Sequence, residues 1–360
     1  MEDTLMKRLK FSRRDVLVGS SALVAGAAFS TRVMSAAPPA TAVTPALIEA
    51  AKKEGKVVWY TSVDLKLSEQ IGKAFETKYP GVTCKVERTG AERLLQRIGQ
   101  EYTANVHAVD VVNSSDASHL VYWKDQGMLA PYVPEDVAKF YPAEHKDIDG
   151  NFASFRVFLC VIAYNTNLVK KEEAPKSFAD LLDPKWKGKI IKAHPGYSGT
   201  IMTATYQVSR DLGWSYFEKL AQQDILQVQS AADPPKKLAL GERAIQADGV
   251  EYLIFQEKEK GQPVEPVYAT EGTPIIIGPN GLFKAAPNPN AARLFQSFCF
   301  SPECQKLAVE IGGLRSVHPQ VPEHQGRTPL SKIKLMKDDA AGVLKNGEQI
   351  KARYVKIFHV

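Results

Sequence analysis

The sequence is poor in the residues that make metal scaffolds and staples. Its 360 residues hold four cysteines, none in a Cys-x-x-Cys pair, and seven scattered histidines with no His-x-x-x-His pair. No Cys/His cluster has zinc spacing, which argues against zinc-finger and zincin chemistry. Cys160 lies in an apolar run and reads as a small buried hydrophobe, while Cys299 and Cys304 stand close enough to bridge at the end of a helix. Beyond residue 40 there is no basic run, no repeat, no low-complexity tract and no apolar stretch able to span a bilayer. The net charge of +6 divides evenly, because residues 1–40 hold six Lys/Arg against three acids. The remaining +3 gives no electrostatic footprint for nucleic acid.

The leader is distinctive. Arg13-Arg14 precede an apolar run from Val16 to Phe29, then small residues Ser35-Ala36-Ala37 and Pro38-Pro39. A charged start, an apolar middle and a small-residue cleavage zone describe a signal peptide over 1–40, with paired arginines of the twin-arginine (Tat) kind. The expectation is an exported, periplasmic protein.

Downstream, helical and strand periods alternate. A helix over 45–54 precedes the strand KVVWYTS. The amphipathic LSEQIGKAFETKYPG leads to the alternating VTCKVERTG, then the helix AERLLQRIGQEY, the strand VDVVNSS and the helix HLVYWKDQGML. This β-α-β-α-β rhythm predicts a parallel sheet covered by helices. Two long apolar strands are expected at 152–165 and 273–286. Between them fall helices near 199–210, 214–222, 235–240 and 249–259 and a strand over 224–229. Helices at 290–299 and 302–311 follow, then a charged tail with a helix at 330–344 and an edge strand RYVKIF.

Polar turns recur between strand and helix: Thr61-Ser62, Thr89-Gly90, Ser114-Ser115-Asp116 and Ser198-Gly199-Thr200. Strand carboxyl ends in an open parallel sheet converge on a ligand crevice, and helix N-termini there present free N–H groups and a positive dipole end. Ser and Thr are also ordinary N-caps, so each turn alone reads either way. Together they point to a small, oxygen-rich, anionic solute. The Gly196-Tyr197-Ser198-Gly199 turn also suggests a serine hydrolase, but Thr200 stands where a nucleophile elbow needs glycine, and no partnered His is in view. An exported hydrolase is the remote alternative, and the reading is a binding protein rather than an enzyme.

The quoted segments carry a family resemblance. KVVWYTS at 56–62, FETKYPGV at 75–82, DVVNSSD at 110–116, VIAYNTNLV at 161–169, FADLLDPKWKGKI at 178–190, GYSGT at 196–200, LALGERAIQADG at 238–249 and SPECQKLAVEIGG at 301–313 resemble periplasmic solute-binding proteins of ABC transporters. The group concerned includes ferric-ion, thiamine and 2-aminoethylphosphonate binders. The resemblance implies a type II fold: two α/β lobes with parallel sheets, joined by a hinge of crossing strands. Lobe 1 would hold 44–150 plus 275–325, lobe 2 would hold 151–270, and the tail 326–360 would pack on the lobes. It implies a monomer that hands a small-molecule solute to an inner-membrane ABC permease, without a cofactor.

The expected ligand residues are Thr61, Ser62, Asp64, Thr89, Ser114, Ser115, Tyr197, Ser198, Gly199, Thr200, Ser230, Asp248 and Tyr252, with Arg93, Asp233 and Arg315 as weaker candidates. In ferric binders of the group a tyrosine pair follows the Gly-Glu segment. Here Asp248 and Gly249 stand about there, and Tyr252 is nearby. That departure favours an organic anion or phosphonate-like solute over Fe(III). Were iron the cargo, Asp64, Asp116, Tyr197, Glu251 and Tyr252 would be its candidates.

Overall fold

The computed structural model describes residues 36–360, so most of the expected leader lies outside the described residues. Helix α1 (Pro45–Glu54) opens the body; Thr44 Oγ1 accepts from the Leu47 N–H, and Gly55 ends the helix at φ 74°. That left-handed backbone suits a residue without Cβ. Then β1 (Lys56–Thr61), α2 (Leu65–Lys78), β2 (Thr83–Arg88), α3 (Ala91–Thr103), β3 (Val111–Asn113) and α4 (Ala117–Asp125) alternate as the periodicity predicts. β1 pairs in parallel with both β2 and β3. The short β4 (Leu129–Ala130) and α5 (Glu135–Phe140) lead to β5 (Phe152–Asn165), buried from its second residue to its last.

The second half repeats the plan. It runs β6 (Ile190–Ala193), α6 (Gly199–Leu212), α7 (Trp214–Ala221), β7 (Leu226–Val228), α8 (Asp233–Ala239), β8 (Ile245–Val250), α9 (Glu251–Glu259) and β9 (Val264–Val267). β6 pairs in parallel with β7 and β8. The chain returns through β10 (Ile275–Phe283), α10 (Pro289–Phe300), α11 (Pro302–Glu310) and α12 (Ala340–Phe358).

One sheet runs in the order β2-β1-β3-β10-β5-β8-β6-β7. β5 crosses it: Phe152 to Leu159 pair antiparallel with β10, while Cys160 to Asn165 pair with β8 and β9. Separate apolar clusters fill the two halves. Trp59, Phe75, Phe155 and Phe295 lie in one, with Phe75 and Phe295 edge-to-face at 5.1 Å; Ile162, Phe178, Trp186 and Phe217 lie in the other. Fully burying such side chains contributes roughly 1.5–3 kcal/mol each.

Two expectations need correction, and the open question of a Cys299–Cys304 bridge is answered. The edge strand RYVKIF is the last part of α12, where Tyr354 and Phe358 stack four residues apart at 4.4 Å. The expected 330–344 helix is a single turn at Leu330–Lys332, followed by extended chain up to Asp339, the N-cap of α12. Cys299 and Cys304 are free, buried thiols. Three strands, β4, β8 and β9, were not foreseen. α12 packs against α4 of the first half and α6 and α7 of the second, so the tail touches both.

Candidate functional site: a cleft between the half-sheets

The ends of β1, β2 and β3 face those of β6, β7 and β8 across a cavity of about 280 Å³. That is near the lower bound of about 300 Å³ for small-molecule sites. The first half contributes Ser62, Arg88, Gly90, Ala91, Arg93 and Ser115. β5 contributes Arg156 and Phe158. The second half contributes the Tyr197–Thr200 turn, the 229–233 turn, and Val250, Tyr252 and Leu253.

Gly199 fixes how closely the halves approach. A Cβ placed there would lie 2.8 Å from Asp116 Cβ and 3.1 Å from Ala91 Cβ, at the N-termini of α4 and α3. Only a residue without a side chain lets the N-terminus of α6 come this near. Ser198 caps α6, its Oγ accepting from the Ile201 N–H at 3.4 Å. No side chain caps α3 or α9, whose N-terminal residues also border the cavity. Several helix N-termini therefore converge with backbone N–H groups and positive dipole ends.

The charge pattern is one-sided. Among the described lining residues, Arg88, Arg93 and Arg156 face one carboxylate, Asp233. Arg156 is 2% exposed. Its Nη2 donates to Ser62 Oγ at 2.9 Å, its guanidinium lies 5.1 Å from the Phe158 ring centroid, and its Nε has no partner in the described structure. Burial pushes its pKa down to about 10, with the neighbouring Tyr252 hydroxyl opposing the shift. The group stays cationic at neutral pH, so an anion entering the cavity meets a positive charge that is desolvated and, among the described residues, hydrogen-bonds no carboxylate. Burial in turn raises the Tyr252 hydroxyl pKa, and Arg156 opposes that rise.

The sequence-predicted residues separate into three groups. Ser62, Ser115, Tyr197, Ser198, Gly199, Thr200, Ser230 and Tyr252 border the cavity, with Arg93 and Asp233. Thr61, Thr89 and Ser114 lie behind it. Thr61 Oγ1 accepts from the Val63 N–H, the Thr89 N–H donates to Thr61 O, and Ser114 Oγ bonds His119 Nδ1 at 3.0 Å. Asp64 and Asp248 lie elsewhere: Asp64 is the exposed N-cap of α2, and Asp248 is buried against Lys192.

The iron candidates do not assemble. Asp116 is a buried cap of α4, and Glu251 holds Arg315 through two hydrogen bonds of 3.0 and 2.8 Å. Arg315 is thereby a structural cation rather than a cleft residue. His194 takes a local role, its Nδ1 accepting from the Gly196 N–H at 2.9 Å.

Arg156, Arg88 and Phe158 are the cavity-lining side chains that sequence reasoning missed. The signal for Arg156 was an arginine inside the otherwise apolar FASFRVFLCVIAYN. A charge at the centre of a buried strand needs either a partner or a ligand.

The comparisons with known proteins agree with this fold. A family model described as bacterial extracellular solute-binding protein matches residues 107–331. The chain belongs to this family. Like its structural neighbours, this solute-binding protein has the fold of the periplasmic components of ABC transporters. It is 27% identical over 349 residues to an uncharacterized protein of Haemophilus influenzae, covering 92% of this chain and 93% of that protein. It superposes on the periplasmic binding protein AfuA of Actinobacillus pleuropneumoniae, solved with exogenous fructose-6-phosphate bound. There the TM-score is 0.78 and the identity 27%, covering 85% of this chain and 99% of AfuA. Iron-bound HitA from Pseudomonas aeruginosa shares the fold at a TM-score of 0.74 and 21% identity, covering 84% of this chain and 99% of HitA. The family is one of transport binding proteins, and among the described residues no helix is long and apolar enough to cross a membrane.

Proposed function

We propose that this solute-binding protein captures a small organic phosphate or phosphonate in the periplasm. The two halves close on the solute about β5 and β10, and the protein, as a monomer exported by its leader, hands it to an inner-membrane ABC permease. The observation that carries the reading is Arg156, a buried guanidinium facing the cavity with no carboxylate partner. Arg88 and Arg93 add positive charge, and the N-termini of α3, α6 and α9 add N–H donors. Guanidinium forks and helix N-termini match the oxygens of a phosphoryl group. AfuA, with its bound fructose-6-phosphate, supports the class of solute.

The same charges speak against bare Fe(III), which needs anionic oxygen ligands. The cavity offers one carboxylate and two phenols, Tyr197 and Tyr252, beside three arginines.

A thermal-shift panel tests the reading, with native mass spectrometry to identify any bound solute. Its members are fructose-6-phosphate, glucose-6-phosphate, 2-aminoethylphosphonate, inorganic phosphate and ferric citrate. A ligand at 100 times its Kd stabilises the folded state by about 2.7 kcal/mol, so an organophosphate should raise Tm by several degrees. Affinity for a phosphomonoester should rise between pH 5 and 7 as its second ionisation, with pKa about 6, completes. No shift with any phosphate, together with a visible phenolate-to-iron band on adding ferric citrate, would sink the proposal.

A further inference from the structure

Behind the cavity wall, three buried side chains that the solute does not need point single atoms at one spot. They are Glu92 in the first turn of α3, and Asp116 and His119 at the start of α4. One metal-binding atom from each lies within 4.8 Å of the other two. From this juxtaposition we propose a resident divalent-metal site of the zinc class, built from Glu92, Asp116 and His119.

The separations carry the argument. His119 Nε2 stands 3.4 Å from Glu92 Oε1 and 3.9 Å from Asp116 Oδ2. A direct charge-assisted hydrogen bond draws its heavy atoms to about 2.7–2.9 Å. Metal–ligand bonds of about 2.0–2.2 Å in a tetrahedron set neighbouring ligand atoms about 3.4 Å apart. The 3.4 Å separation matches that of neighbouring ligands around an ion, the 3.9 Å one is somewhat wider, and both are longer than a direct charge-assisted hydrogen bond.

Each ligand is also oriented from behind by its other atom. Ser114 Oγ sits 3.0 Å from His119 Nδ1, and an Nδ1–H donated to it leaves the Nε2 lone pair free. Lys351 Nζ of α12 donates to Glu92 Oε2 at 3.0 Å, and the Ser118 N–H donates to Asp116 Oδ1 at 2.9 Å. Outer-shell bonds of this kind fix ligand orientation in metal sites. One imidazole with two carboxylates suits a borderline cation such as Zn²⁺ and leaves one position of a tetrahedron for water.

All three ligands come from α3 and α4 of the first half. Closing or opening the cleft neither assembles nor breaks the set, so the ion would be a resident and not cargo. Ala91, Arg93 and Ser115, the chain neighbours of Glu92 and Asp116, border the cavity, so the cluster lies one residue behind its wall.

The full chain, stripped with EDTA, is titrated with ZnSO₄ by calorimetry and its metal content measured after desalting. The expected result is one zinc per chain, and a visible tetrahedral spectrum when cobalt replaces zinc. Glu92→Gln and His119→Gln should each weaken zinc binding by about 10-fold or more, with circular dichroism reporting their folding. Crystals of the unaltered protein soaked in zinc supply a readout that needs no variant: an anomalous peak between the three side chains. Absence of stoichiometric zinc, or a peak elsewhere, overturns the proposal. So does undiminished binding in both folded variants. Fructose-6-phosphate titration of the zinc-free and zinc-loaded protein reads the solute site separately, so failure of one proposal leaves the other standing.

Discussion

Arg156 lies within β5 and Arg315 beside it, and they are about equally buried, at 2% and 3% exposure. Arg315 exchanges backbone hydrogen bonds with Val157, the residue next to Arg156. Their partners differ. Arg315 is held by two bonds to Glu251, an ion pair with Glu323 and a 2.9 Å bond to Thr328 O. Burial alone would lower its pKa, but the Glu251 carboxylate outweighs that and raises it. Arg156 has the Ser62 and Tyr252 hydroxyls, and its pKa falls. A buried cation whose charge is met inside the chain belongs to the fold. One that faces a cavity and hydrogen-bonds only neutral groups is open to completion by a bound anion, as proposed for Arg156.

Substitutions should separate the two roles. Arg315→Met leaves Glu251 buried without its cation and should destabilise the fold by about 3–5 kcal/mol, read by denaturant titration. Affinity measured on the surviving folded protein should change little. Asp248→Asn should behave in the same way, because it strands the buried Lys192. Arg156→Met should do the reverse. Apo stability should hold or rise, since an incompletely partnered buried charge is removed, while calorimetry with an organophosphate loses about 2–5 kcal/mol. If Arg156→Met instead unfolds the protein and Arg315→Met abolishes binding, the comparison is backwards.

Smaller changes sharpen it. Gly199→Ala places a methyl between α6 and the N-termini of α3 and α4, so the closed form should lose about 1–3 kcal/mol. Small-angle scattering with saturating ligand would show a more open average, whereas an unchanged profile would mean the seam yields. Arg93→Ala, at the exposed rim, should weaken binding by at most about 1 kcal/mol, and the loss should shrink with added salt. A salt-independent loss would place Arg93 deep in the site.

Local patterns were legible where one rule acted alone. The apolar runs in KVVWYT and at 152–165 marked β1 and β5, because burial on the sheet demands those residues whatever lies around them. β8 was hidden because Ile245–Val250 carries Gln246, Asp248 and Gly249, which look like loop. Lys192, reaching across from β6, makes Asp248 tolerable there. RYVKIF has strand-like composition, but it packs as a helix because Tyr354 and Phe358 cover Phe217 of α7 on one face. Hydroxyl-rich turns located much of the cavity wall. They did not tell which hydroxyl faces the solute and which only closes a turn, as Ser115 and Ser114 illustrate from adjacent positions.

The sequence by itself determined the family, the α/β rhythm, the two long strands and the turns that open onto the cleft. Each of these rests on local periodicity, capping chemistry or short motifs that do not depend on distant partners. The tertiary structure decided which charges are spent within the chain. Arg156, Arg315, Lys192 and Asp248 look alike in one dimension, and only folding brings Glu251 to Arg315 and Asp248 to Lys192 while leaving Arg156 facing the cavity. Burial makes that distinction energetic, because a charge removed from water must find its counterpart in the fold or in a ligand.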